Sequence, residues 1–321
     1  MKDTAYVYAV GRIRVKELSL LSSTDIKRLI GAKNYREAAA MLESSGYEIH
    51  SEDYSDALNR RKAEVWQLMK EVLPDIHDMD SLIVKNDFSN LKAAVKTTIT
   101  GTDPMEFMLT PCVYTPKEIC KAVSDRNFSA LPEMMSKAGE KAYDILARTS
   151  SAQLSDAVID KAAMKAMLSL AKKADNEMLS QIAECTVACA DIKTAYRCIL
   201  AEKTTDFMKY AISSCGAFES REIIQRAAMG MDEFLSWLEK TDYSGAAAAL
   251  RLSSTAFEKY CDDRITEITQ KGKNTSFGIT PIVAYYIACE TEILTLRIIL
   301  SGKLNNVPAD TISARARETY V

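Results

Sequence analysis

Histidine is almost missing from this sequence: His50 and His77 stand alone among 321 residues. No His-x-x-x-His pair exists for zinc, and little is left from which to build a histidine-based catalytic triad. A phosphate-binding loop is missing too. Gly272-Lys273 runs into Asn274 and Gly302-Lys303 into Leu304, so neither supplies the Ser or Thr that a Mg²⁺-bound nucleotide requires after the lysine. ATP hydrolysis by that route is excluded. The eight cysteines contain no Cys-x-x-Cys pair. Cys185 and Cys189, four apart on one helical face, have no histidine nearby, and buried small hydrophobes are expected of them. There is no excess of positive charge either: the formal net charge is −3, which provides no field to draw in nucleic acid. The longest uncharged apolar run, Phe277 to Cys289, is broken by Gly278 and Pro281 and falls short of the roughly 20 residues of a spanning helix. With Lys2, Asp3, Arg12, Arg14 and Lys16 ahead of any long apolar stretch, no secretory signal is read. The expectation is a cytoplasmic protein that meets a membrane, if it does, from the water side.

Helix breakers are few, with 11 Gly and 7 Pro, and β-branched runs with clean alternation do not recur. What is present favours helix: Ala, Leu, Glu, Lys and Met dominate. Apolar residues at helical spacing, Tyr6, Val10, Ile13, Leu18 and Leu21, predict one long opening helix with Asp3 or Thr4 as its cap. The prolines at 74, 104, 111, 116, 132, 281 and 308 fall at helix boundaries, and Gly31, Gly46, Gly101, Gly139, Gly216, Gly245 and Gly302 are expected near helix ends or turns. An all-α protein of roughly twelve to eighteen helices follows.

The chain also repeats itself. Leu91-Lys92-Ala93-Ala94-Val95, Tyr196-Arg197-Cys198-Ile199-Leu200 and Leu296-Arg297-Ile298-Ile299-Leu300 share an apolar residue, a base and an apolar-rich triplet, at spacings of 105 and 100 residues. A carboxylate, Asp87, Asp191 or Glu292, precedes each, and Lys203 and Lys303 follow the second and third. Upstream, Ile26 with Tyr35, Ile119 with Phe128 and Ile223 with Phe234 keep the same order. Between the markers run the amphipathic stretches Lys62 to Val72, Asp160 to Leu170 and Phe257 to Ile268. Chance similarity among amphipathic helices explains either set alone; their joint order predicts three related helical repeats over 1–115, 116–216 and 217–321.

One acidic group invites a catalytic reading. Asp262-Asp263 with Glu267 resembles half of the paired acidic clusters by which all-helical enzymes hold Mg²⁺ and a diphosphate. The partner cluster is lacking: Asn86-Asp87 is followed by Asn90 where Ser or Thr belongs, and it precedes the acidic pair. A solvated helical face is the better reading.

Three segments resemble one family. Gly278, Pro281, Ile282-Val283-Ala284-Tyr285-Tyr286, Glu290, Glu292-Ile293, Leu296 to Leu300, Gly302-Lys303, Ile312, Arg315, Arg317 and Tyr320-Val321 resemble the closing signature of the C subunit of the V-type (A-type) ATP synthases, itself similar to the d subunit of the vacuolar enzyme. Tyr6-Val7-Tyr8-Ala9-Val10-Gly11-Arg12-Ile13-Arg14 resembles the family's opening helix, and Asn86-Asp87-Phe88-Ser89-Asn90-Leu91-Lys92 its first central motif. Cys289 departs from the family, which often carries Lys there, and Ile279-Thr280 replaces a more polar pair.

The resemblance implies a funnel of three similar helical domains around a pseudo-threefold axis. It implies a non-catalytic rotor component without cofactor or metal, peripheral on the cytoplasmic side of the cell membrane. Its partners would be the central-shaft D and F subunits and the membrane proteolipid ring, with no nucleic acid and no insertion into the bilayer. Arg12, Arg14, Asp87, Asn90, Lys92, Asp191, Arg197, Glu292 and Arg297 are the structural or interface candidates. Recurrence of the bases Lys92, Arg197 and Arg297 suits an ion pair against a carboxylate better than a partner contact. The other readings are a free-standing α-helical repeat module and a Mg²⁺-dependent enzyme on Asp262 and Asp263.

Overall fold

A computed structural model describes residues 3–49 and 53–321, with Asp3 and Thr4 described in backbone only. His50 and the side chains expected to cap the opening helix lie outside the described residues. Sixteen α-helices and five short 3₁₀ turns make up the described secondary structure, with no strand among the described residues. No described helix is long and apolar enough to cross a membrane. The chain divides into two compact units, one discontinuous (residues 1–76 with 245–321) and one continuous (residues 77–244).

The discontinuous unit holds α1 (Val7–Glu17), α2 (Ser23–Gly31), α3 (Tyr35–Glu43) and α4 (Ser55–Val72), then α13 (Ser244–Leu252), which starts at the boundary, α14 (Ser254–Gln270), α15 (Thr280–Leu304) and α16 (Ala309–Arg315). Helix α15 is its axis. Of its 25 residues, apolar positions all round the helix are buried, which is the pattern of a helix packed on every side. Leu296, Ile299 and Leu300 are wholly inaccessible and pack in one core with Leu29, Ala38, Leu42 and Leu58. Each buried Leu or Ile of this core stabilises the fold by about 1.5–3 kcal/mol.

The opening helix ends sooner than its spacing predicts. A 3₁₀ turn (Asp3–Tyr6) leads into α1, which stops at Glu17, and Leu18 is 86 % exposed. Four residues on, Ser22 and Asp25 form a reciprocal capping box that starts α2. The chain is therefore committed to a new helix where continued apolar spacing suggested the old one.

The continuous unit is built from α5 (Asp80–Thr100), α6 (Pro116–Ser124), α7 (Glu133–Thr149), α8 (Ala152–Lys173), α9 (Glu177–Leu200), α10 (Thr205–Ala211), α11 (Ser220–Ala228) and α12 (Met231–Leu238). Helix α8 lies at its centre and packs on α5, α7, α9 and α10. Its buried face is rich in small residues, Ala157, Ala163, Ala166 and Ala171, which lets the neighbouring helices approach closely. Gly139 serves the same purpose in the middle of α7, not at its end as its residue type suggests: a Cβ there would stand 2.8 Å from the Phe128 ring. In the discontinuous unit Gly302 stands in the last turn of α15, near the helix end as expected, with Ile312 filling the space of its absent side chain at 2.7 Å.

Candidate functional site

The three sequence markers all lie on long helices, α5, α9 and α15, and each helix carries its carboxylate into the protein: Asp87 is 0 %, Asp191 1 % and Glu292 8 % exposed. Their partners are backbone N–H groups. Asp87 accepts from Val113 at 3.1 Å and Tyr114 at 2.8 Å, directly ahead of α6. Asp191 accepts from the Ser213 backbone at 2.9 Å and from its hydroxyl, in the segment leading to α11. Glu292 accepts from Leu21 N–H at 2.6 Å, ahead of α2, and from the Tyr47 hydroxyl at 2.5 Å. The short helices so approached, α2, α6 and α11, are each nine residues long. Ile26, Ile119 and Ile223 occupy the fourth position of each, buried in all three. The second marker residues, Tyr35, Phe128 and Phe234, are likewise buried.

Burial disfavours the charged form of all three carboxyls, and the N–H donors oppose it. Desolvation prevails: Asp87 and Asp191 are each pushed up to about 6, and Glu292 is raised above the ordinary carboxylate range.

The Asn-Asp-x-x-Asn sequence of α5 acts as one clamp. Asn86 donates to Pro111 C=O at 2.7 Å, while Asn90 donates to Leu109 C=O at 3.0 Å and accepts from Leu109 N–H at 2.7 Å. With Asp87, these residues lie within one turn of the helix and satisfy the backbone of the 109–114 segment, which has no helix of its own to do so.

The bases behave less uniformly than their recurrence suggested. Lys92 pairs with Asp160 at 2.6 Å. Arg197 and Arg297 are exposed and have no ion-pair partner among the described residues. An ion pair in every marker is therefore not what the fold uses; the carboxylates are spent on backbone N–H groups instead. Arg12 forms an open ion pair with Glu71 at 3.2 Å. Arg14 binds Glu17 at 2.7 Å and donates to the carbonyls of Gly272 and Thr275 at 3.0 and 2.6 Å, tying α1 to the segment before α15.

The C-terminal segment reaches both Asp262, through Arg317 Nε at 2.7 Å, and Asp263, through Glu318 N–H at 2.8 Å, and Lys259 of α14 itself pairs with Asp263 at 2.6 Å. Glu267 takes no part in these contacts, and no three His, Cys, Asp or Glu among the described residues are grouped to hold a metal. Cys185 and Cys189 are buried in α9. His77 lies against Asp80 at 3.1 Å at the start of α5.

Sequence spacing did not point to Tyr47 or Ser213 as partners, and it marked Lys303 as a recurring base without showing which groups it meets. Lys303 donates to the Ile30 and Ala32 carbonyls, both at 2.5 Å, at the C-terminal end of α2. Helix α15 thus presents an acid to the N-terminal end of α2 and a base to its C-terminal end, the arrangement the helix dipole favours.

Fold and site together define an all-helical protein in which the buried acids Asp87, Asp191 and Glu292 accept hydrogen bonds from backbone N–H groups remote in sequence. The chain belongs to the ATP synthase (C/AC39) subunit family, whose model it matches over residues 9–315. It is 22 % identical over 317 residues to the C subunit of the V-type sodium ATPase of Enterococcus hirae, covering 96 % of this chain and 97 % of that one. To the C subunit of the A-type ATP synthase of Methanocaldococcus jannaschii it is 24 % identical over 351 residues, covering 96 % and 85 %.

Proposed function

We propose that this chain is a non-catalytic rotor component of a V-type ATP synthase or ATPase. It is a socket, peripheral on the cytoplasmic side of the membrane, that couples the central shaft, built from the D and F subunits, to the proteolipid ring. The observation that carries the proposal is the family match along nearly the whole chain, together with two C-subunit relatives covered over 97 % and 85 % of their own lengths. The mechanical logic is that of an adaptor. A slender shaft and a broad ring differ in diameter and symmetry, so a body that grips both must resist shear, and close helix packing gives it that stiffness.

The proposal extends to organisation: three related repeats, with boundaries near 115 and 216, arranged around a pseudo-threefold axis. What supports it is the recurrence of a buried carboxylate on a long helix, turned toward the lead-in of a nine-residue helix, at Asp87, Asp191 and Glu292.

Affinity purification of the tagged chain from detergent-solubilised membranes tests the assignment. Recovery with V-type ATPase subunits is expected, and recovery without them overturns it. Arg297→Ala then probes the socket wall. Because Arg297 is exposed and unpaired among the described residues, the melting temperature is expected to hold while ATP-driven ion transport falls relative to ATP hydrolysis. Unimpaired transport removes Arg297 from the interface.

A further inference from the structure

Although the chain carries a net charge of −3, one groove of the continuous unit is strongly basic. Helices α7, α8 and α10 enclose about 690 Å³ lined by Lys137, Lys141, Lys161, Lys165 and Lys209, with Asp206 as the only acid in the lining. The spacing explains the concentration of charge. Lys137 and Lys141 lie four apart on α7 and Lys161 and Lys165 four apart on α8, so each pair shares a face.

Two of these lysines are neutralised locally, Lys137 by Glu133 at 2.5 Å and Lys209 by Asp206 at 2.8 Å. Lys141, Lys161 and Lys165 form no close ion pair among the described residues, and the one carboxylate that acts on Lys161 from farther off is the buried Asp191. Lys161 is the most enclosed, and its ammonium donates to the Lys209 carbonyl at 2.7 Å. Its affinity for a proton is lowered by burial and next by the charge of Lys165; Asp191 opposes the shift, and Lys141 adds to it less strongly. Like charges gathered in this way cost free energy in the empty protein, and an anion brought among them recovers it. Compact ammonium groups on flexible stems suit phosphate oxygens. The rest of the lining is apolar or aromatic, with Met134, Val158, Ala162 and Tyr210, and Lys141 lies over the Tyr210 ring at 4.6 Å. Such a wall accommodates the organic portion of a phosphate compound.

We infer that the groove between α7, α8 and α10 is a binding site for a multiply charged phosphate, with Lys141, Lys161 and Lys165 as its anchors. None of the three is a marker residue of the proposed rotor function, so the site stands independently of that reading.

Calorimetric titration of the full-length chain with inorganic tripolyphosphate, at low salt and without divalent metal, tests the site. A parallel arm measures co-sedimentation with phosphatidylcholine vesicles containing phosphatidylglycerol. Binding that weakens steeply with added salt is expected, and the Lys141→Glu/Lys165→Glu variant is expected to lose roughly tenfold or more in affinity. The control, Lys172→Glu/Lys173→Glu, makes the same change of charge at the exposed end of α8, outside the groove, and should retain most of the affinity. Groove-dependent binding of tripolyphosphate supports a soluble phosphate ligand, and groove-dependent binding of vesicles alone supports a lipid headgroup. No binding in either arm, or equal losses in groove variant and control, overturns the proposal. Melting curves accompany each variant; should the double substitution unfold the chain, Lys165→Gln carries the same comparison.

Discussion

Glu292 and Leu21, 271 positions apart in sequence, meet at 2.6 Å through a carboxylate oxygen and a backbone N–H. The same carboxylate receives the Tyr47 hydroxyl, so one side chain of α15 fixes both the lead-in to α2 and the segment after α3. Replacing it by Ala leaves two buried donors unsatisfied and opens a cavity. Glu292→Ala is expected to lower the unfolding free energy by about 2–5 kcal/mol, and Glu292→Gln, which keeps one acceptor, by less. Urea unfolding monitored by circular dichroism checks the order; equal stability of Ala variant and parent would show the contact to be dispensable.

Asp87 and Asp191 make stability depend on pH in a defined direction. Their folded-state values of about 6 stand above the ordinary 3.8, so the folded protein holds protons that the unfolded chain has released. Their contribution is fully present below pH about 4 and is lost as pH rises through about 6, on the order of 1–3 kcal/mol for each. Unfolding free energies measured between pH 4 and 7.5 should therefore fall with rising pH across this window. In Asp87→Asn/Asp191→Asn the slope should flatten; an unchanged slope would assign the titration to other groups.

Two glycines inside helices should respond oppositely to the same substitution. Gly139→Ala forces a methyl group against Phe128 at 2.8 Å and Leu91 at 3.2 Å, and is expected to cost about 1–3 kcal/mol. Gly11, on α1, has nothing within 4 Å of an added Cβ, so Gly11→Ala should stabilise the isolated chain by about 0.5–1 kcal/mol through helix propensity. Thermal melts of the two variants side by side decide this, and a shift of the same sign in both would contradict the packing described.

Much of the architecture was legible because helix formation is governed locally. Pro116 and Pro281 stand in the first turns of α6 and α15, and the amphipathic stretches beginning at Lys62, Asp160 and Phe257 lie in α4, α8 and α14. The recurrent carboxylates were visible as residues, but not their partners, since a buried acid can be satisfied by any donor that the tertiary fold delivers. At Asp87, Asp191 and Glu292 that donor is backbone, and backbone N–H groups leave no mark in a sequence. Gly139 misleads for a related reason. Glycine at a turn and glycine under a neighbouring side chain look alike until the neighbour is known.

The division of the chain also orders its synthesis. Residues 77–244 form a continuous unit and can pack as soon as they leave the ribosome, whereas the first 76 residues belong to a unit that includes everything from 245 to the end. Until the translated chain reaches α15, the hydrophobic faces of α2, α3 and α4 have no Leu296, Ile299 or Leu300 to cover them. The core that α2, α3 and α4 share is thus completed only by residues translated after the whole of the continuous unit.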